Sequence, residues 1–217
     1  MRPLPRGKFK RVLLVAPHPD DETIAAFGLV RRLLWEGADV RILIVTDGGA
    51  SHRSRKWPPA RLAAQRRKET AGAMRRLGIP RGAIRFLGLP DSGLERLSPS
   101  ARQQLARAFS RGPFPDLVIR PAASDHHADH QIVAGICRRA WPPRVPQLTY
   151  VVWPDPALPP HRPRFVHRLG QTRLMKRAAI RAYRTQTGLI TDDPHGFCMD
   201  RQIISRFAGP AEYFARA

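Results

Sequence analysis

Cysteine is scarce. The chain has two in 217 residues, Cys137 and Cys198, too few for a disulfide framework. They point to a reducing compartment or to buried thiols. Long apolar runs are missing too. Val12 to Ala16, the longest early one, is too short for a membrane span or a secretion signal. Acidic residues number 17 against 38 Lys and Arg, and 33 of those 38 are arginine. These shortages argue against a disulfide scaffold, a membrane anchor, a coiled coil and a collagen-like repeat.

What is present suits a folded domain. The chain is 42% hydrophobic, enough for a sizeable core. Its length fits one domain over residues 1–217, led by a basic stretch over 1–10. The formal net charge is +21. A field that positive attracts nucleic acid, anionic membranes or anionic substrates. A GC-rich coding bias explains arginine in place of lysine, but not the excess of positive charge.

Apolar spacing predicts strands over 11–16, 39–46, 83–87, 116–120 and 147–153, with a last one over 164–169. Helical spacing falls at 23–36, 61–77, 98–110, 131–140 and 171–184, with Ser98 as a cap and Gly37 and Gly78 as stops. Residues 47–59 and the proline-rich 154–163 read as loops, and the last thirty residues carry little pattern. Strands alternating with helices predict a three-layer α/β/α, Rossmann-like domain with a mostly parallel sheet. In such sheets the site lies at the carboxyl ends of the strands, here just after Ala16, Thr46, Leu87 and Arg120.

Two of those places are dense in metal-ligand residue types. After the first strand comes Pro17-His18-Pro19-Asp20-Asp21-Glu22, and after the fourth Asp125-His126-His127-Ala128-Asp129-His130. Together they hold four of the twelve aspartates and four of the eight histidines, which argues for one shared site. A zinc site with three protein ligands and one open position could take a His and an Asp from the first loop and a His from the second. The neighbouring aspartate would then serve as a base. The competing reading makes Asp20, Asp21 and Glu22 first-turn anions of the following helix.

The segment Ala16-Pro-His-Pro-Asp-Asp-Glu22 resembles the signature of the PIG-L/LmbE-like N-acetylglucosaminyl deacetylases, a zinc-dependent family. A second signature, D-x-H-x-D-H, is met by Asp125, His127, Asp129 and His130. Weaker similarities are Arg66 and Glu69 ahead of Leu77-Gly78, then Asp91 with Gly93, Tyr183 with Thr185 and Gln186, and Glu212 with Phe214. The resemblance implies that His18, Asp21 and His130 hold the metal and that Asp20 is the general base. It makes His127 the oxyanion stabiliser or general acid. Asp129 and Asp125 would stand behind the ligands, with Asp129 orienting a histidine. Arg66 and Asp91 would contact the substrate.

The reading that follows is a cytoplasmic zinc hydrolase with one Zn²⁺ per chain, or another divalent metal. It would remove the N-acetyl group from an N-acetylglucosamine-type conjugate: a glycan, glycolipid or nucleotide-sugar intermediate. A related alternative is an amidase on a non-sugar, antibiotic or thiol conjugate. Arg173, Arg177, Arg181 and Arg184 share one helix face, which suits an anionic or carrier-linked substrate, or peripheral contact with the inner face of an anionic membrane. A nucleic-acid-binding role is the rival from another class. Against it, no helix-turn-helix, zinc-finger or RNA-binding signature is found. A dinucleotide fold is set aside because the first turn reads PHPDDE rather than a glycine-rich loop.

Overall fold

The computed structural model describes residues 1–4, 7 and 9–217. Arg6 and Lys8 of the basic lead-in lie outside the described residues. The central sheet runs β3-β2-β1-β4-β5-β7-β6, with β1 Arg11–Ala16, β2 Asp39–Thr46, β3 Ile84–Leu89, β4 Leu117–Pro121, β5 Gln147–Tyr150, β6 Phe165–Arg168 and β7 Ala211–Arg216. The first five strands pair in parallel. β7 pairs antiparallel with both β5 and β6.

Continuous apolar strands need cover on both faces. Leu14, Ile42, Ile44 and Ile119 point into one core, while Val15, Leu43, Val45 and Val118 point into the other. The first core is closed by α1 Asp21–Trp35, α2 Pro59–Arg75, α5 Thr172–Arg181 and α6 Arg201–Phe207. The second is closed by α3 Pro99–Phe109 and α4 Ala128–Ala140. The three predicted layers are present. Ser98 caps α3 as expected, accepting a hydrogen bond from the Ala101 N–H. None of the described helices is long and apolar enough to cross a membrane.

Two expectations need correction. The weakly patterned C-terminal stretch forms α6 and β7, and β7 inserts between β5 and β6. Its strand alternates Glu212 and Phe214 inward with Tyr213 exposed, too short a pattern to stand out. Helix α4 begins at Ala128, three residues before the predicted start at Gln131. Asp129 and His130 are therefore helical, and His127 is the cap. Helix α1 likewise takes in Asp21 and Glu22.

The inserted strand explains an irregularity in α1. Ala26 breaks the helical dihedrals inside it, so N–H groups downstream lose their partners. The Glu212 carboxylate accepts the Gly28 and Leu29 N–H groups, each at 2.9 Å. Lys176 Nζ, on α5, meets the same carboxylate at 2.8 Å. Lys176 and Glu212 are both buried. One ion pair thus caps a broken helix and ties α1, α5 and β7 together. At Gly28, α1 comes so close to Leu169 that a Cβ would stand 2.1 Å from its side chain.

Glu212→Ala is expected to lower the unfolding free energy by about 3–5 kcal/mol, because it strands a buried ammonium and two N–H groups. Urea denaturation measures it. A loss below about 1 kcal/mol would place this junction among ordinary surface pairs.

Candidate active site

The sheet order sets the location. β1 has β2 on one side and β4 on the other, so the chain reverses its winding between β1 and β4. A crevice opens at the carboxyl ends of strands at such a switch point. The two motif loops leave those two strands. Thr46 at the end of β2 anchors the first loop, its N–H and its hydroxyl both donating to the Pro17 carbonyl.

Asp20 does not cap α1 through its side chain. Its φ is 136°, a region that costs a non-glycine residue on the order of 1–3 kcal/mol. Local bonds hold it there. The Asp20 N–H donates to Glu22 Oε2 at 3.0 Å, and its carbonyl accepts from Thr23 and Ile24. Glu22 is itself fully buried, bonded to the Tyr183 and Thr23 hydroxyls. Burial lifts its pKa to about 7. The strain turns the Asp20 carboxylate out of the helix and toward the crevice.

Three donor atoms then converge. His18 Nδ1 lies 3.2 Å from His130 Nε2. Asp21 Oδ2 is 3.3 Å from the first and 3.1 Å from the second. A tetrahedral zinc site with bonds of about 2.0–2.1 Å separates its ligand atoms by about 3.3 Å. The triangle therefore fits a divalent ion in size and in donor type. Each imidazole turns its other nitrogen to carboxylates: His18 Nε2 to Asp91 at 3.2 Å and Asp129 at 3.3 Å, His130 Nδ1 to Asp125 at 3.1 Å. Such backing fixes ring orientation and strengthens a ligand.

Backbone donors fix the carboxylates in turn. Asp125 accepts from Val152, Trp153 and His127, Asp129 from Ser92 and Leu94, and Asp91 from Ala50. Asp91, which the family resemblance places on the substrate, is thus in contact with His18 while also bordering the cavity.

The site favours positive charge among the triangle atoms. Burial alone would lower both imidazole pKa values. Asp21 and Asp125 outweigh it and hold His130 at about 9. Asp129, Asp21 and Asp91 raise His18 well above its ordinary value. Burial pushes the Asp21 carboxyl up, but His130 and His18 bring it far below the usual carboxylate range. Protons and a metal ion compete for the same place.

Asp20 differs. Burial raises it to about 7, with the Arg66 guanidinium opposing and Asp21 and Glu22 adding to the rise. Arg66 comes inward from α2 and donates to Asp20 Oδ2 at 3.0 Å, to the Pro19 carbonyl and to the Gly48 carbonyl. Gly48 sits at φ +70°, and a Cβ there would meet the guanidinium at 2.6 Å. His127 Nδ1 accepts the Asp129 N–H at 3.2 Å, which leaves the proton of the neutral ring on Nε2. Burial, then His18 and His130, lower its pKa.

A cavity of about 330 Å³ opens over these groups. Asp20, Asp21, His18, His127 and Arg66 border it, together with Trp153 and Phe197. Those aromatics meet edge to face at 5.6 Å and were not among the predicted residues. Trp153 follows β5, so the strand-end rule applied to a fifth strand would have found it. Phe197 lies in the unpatterned C-terminal region and left no signal. His52 is buried against Gly196, and Trp57 packs under the Arg61 guanidinium at 4.2 Å; neither borders the cavity.

Comparison with known proteins adds the following. The family model for PIG-L, GlcNAc-PI de-N-acetylase, matches residues 13–141. A diacetylchitobiose deacetylase of Thermococcus kodakarensis is 28% identical over 130 residues, 58% of this chain and 47% of that protein. A 1D-myo-inositol 2-acetamido-2-deoxy-alpha-D-glucopyranoside deacetylase of Segniliparus rotundus is 37% identical over 116 residues, 48% of this chain and 36% of that protein. The chain thus spans less than half the length of these curated relatives. The solved N,N'-diacetylchitobiose deacetylase from Pyrococcus horikoshii superposes with a TM-score of 0.74 at 22% identity, over 97% of this chain and 84% of that one. It has the same fold.

Zinc affinity, read by chelator competition, should rise steeply between about pH 6 and pH 9. His130 Nε2 must be free of its proton before it can coordinate, and Asp21 and Asp125 hold its pKa at about 9. A flat profile would remove His130 from the ligand set. Asp125→Asn should weaken metal binding about 10–100-fold, and an unchanged affinity would leave Asp125 without its positioning role.

Proposed function

The chain belongs to the PIG-L, GlcNAc-PI de-N-acetylase, family, and from that premise we propose that it is a zinc-dependent hydrolase removing the N-acetyl group from an N-acetylglucosamine-type sugar conjugate. The observation that carries the reading is one juxtaposition: a donor triangle of zinc dimensions beside a buried carboxylate of pKa about 7, at the floor of a cavity.

His18, Asp21 and His130 would hold the zinc. When bound it supplies Lewis acidity, acidifying a water and polarising the acyl carbonyl. Asp20 takes the proton of the attacking water, and its pKa near the working pH suits that transfer. Arg66 holds Asp20 in place and opposes the rise that burial causes in its pKa. His127 directs its Nε2 proton toward the carbonyl oxygen as negative charge develops there, a contribution of roughly 3–4 kcal/mol for such a donor. Asp20 then returns its proton to the departing amine, so the products are acetate and a free amino sugar. Trp153 and Phe197 offer apolar surface to a sugar ring, with Ser51 and Gln186 as polar partners at the same cavity.

The finer assignments belong to the same proposal. We place the protein in the cytoplasm. Helix α5 ends at Arg181, short of the predicted 184, so Arg184 lies in the turn that follows it; Arg173 and Arg181 of α5 and Arg184 of that turn are exposed, next to exposed Leu174 and Met175. That combination suits peripheral contact with an anionic membrane or a carrier-linked substrate.

The test is acetate release by the zinc-loaded protein from free N-acetylglucosamine, its nucleotide diphosphate form, a lipid-linked form and N-acetylated oligosaccharides. Release from at least one is expected, and silence across the panel with zinc bound would refute the sugar assignment. Asp20→Asn should keep its zinc and lose about 10²–10⁴-fold in turnover. The wild-type rate should fall as pH drops through about 7, where Asp20 becomes protonated. Full activity in the variant would take the base role from Asp20.

A further inference from the structure

Buried cations in a protein are paired or hydrogen-bonded to anions, because an unpaired one is costly. Among the described residues three Arg or Lys side chains are buried: Arg66, Lys176 and Arg120. Arg66 has Asp20 at 3.0 Å, and Lys176 has Glu212 at 2.8 Å. Arg120, on β4 and 5% exposed, has no carboxylate within ion-pair distance among the described residues. Its Nε donates to the Gln147 amide oxygen and its Nη1 to the Pro121 carbonyl. Both acceptors are neutral. Burial and nearby Arg138 pull its pKa down, yet a guanidinium stays charged in proteins.

Arg120 looks into a groove of about 980 Å³. The groove is walled by α4, by the ends of β4, β5 and β7, and by the segment 159–164. Arg138 of α4, Arg162 and Arg164 of that segment, and Arg216 of β7 line it, and no acidic side chain does. Thr149 and Ser124 add hydroxyls, and Trp141 and Pro159 add apolar wall. His161 is held against β5, its Nε2 within 3.1 Å of the Thr149 carbonyl. The groove shares no lining residue with the catalytic cavity.

We infer that this groove binds a phosphate-bearing small ligand, one phosphoryl group sitting against Arg120 and the rest of its charge on the rim arginines. Guanidinium forks match phosphate oxygens in pairs. Five of them exceed what one carboxylate needs, and the volume exceeds a single phosphate. A nucleic-acid duplex would reach the rim but not a guanidinium buried on the floor. The site is independent of the deacetylation reading. It gives part of the +21 charge a structural purpose.

The experiment is calorimetric titration of the full-length, zinc-loaded protein with inorganic phosphate, inorganic pyrophosphate and a nucleoside diphosphate. Ionic strength is matched with sodium chloride, and hydrogen exchange locates the bound ligand. Saturable binding is expected, with protection at 120–124 and 147–149. Arg120→Gln should weaken it about tenfold or more. Should that variant fail to fold, the exposed double variant Arg138→Gln/Arg164→Gln should show a comparable loss. Tighter binding of the nucleoside diphosphate than of pyrophosphate would show that the ligand's organic part uses the Trp141 wall, and equal binding would assign the affinity to the phosphates alone. Absence of saturable binding would overturn the inference. So would affinity unchanged by the variants, protection confined to 18–21 and 126–130, or protection that follows protein concentration instead of phosphate.

Discussion

Two imidazole nitrogens and a carboxylate oxygen, buried within 3.3 Å of one another, cannot rest on packing alone. Each must be held by a partner behind it, and those partners account for much of the surrounding structure. Asp125 stands behind His130 and is anchored by N–H groups after β5. Asp129 and Asp91 stand behind His18 and are anchored by the segments after β3 and β2. The ends of β1, β2, β3, β4 and β5 are thus tied together by what the three converging donor atoms require. The same crowding separates the two adjacent aspartates. Asp21 faces two imidazoles and is strongly acidic, whereas Asp20 faces one arginine and much apolar burial and rises to about 7. Neighbours in sequence acquire different chemistry from their surroundings.

The C-terminal region supports this from behind. Glu212 caps the broken α1, and Lys176 neutralises it. Tyr183 closes on Glu22, which holds the Asp20 backbone, and Thr185 bonds Glu69 on α2 while Gln186 reaches Ser51 at the cavity. Motif fragments with no evident use as sequence each turn out to hold another part of the site in place. Stability and the geometry of the candidate site share these contacts, so a lesion far from the donor triangle is felt at Asp20.

Much of the fold was legible because its signals are local. A run such as Leu13-Leu-Val reads as a strand buried on both faces, and Ser98 reads as a cap, from neighbouring residues alone. The pattern starts α4 three residues late because Ala-Asp-His carries no apolar period. β7 leaves no pattern in the sequence because its alternation is brief and its partners lie far away along the chain. The candidate ligands were visible as two dense loops at strand ends. Trp153, Phe197 and the unpaired Arg120 were not, because nothing in their own neighbourhoods marks them.

The sequence by itself determined the alternating elements, the strands that need two covered faces, and the end of the sheet where acidic and imidazole groups collect. These follow from side-chain period and turn chemistry, which act over a few residues. Only the tertiary structure decided which carboxylate stands behind which histidine, that Asp91 touches His18, that Arg66 turns inward onto Asp20, and that a second arginine is buried without a counter-charge. Those facts depend on strand order and on insertion of β7, which bring residues more than a hundred positions apart within hydrogen-bond distance. Burial then sets their charge, and burial is a property of the whole fold.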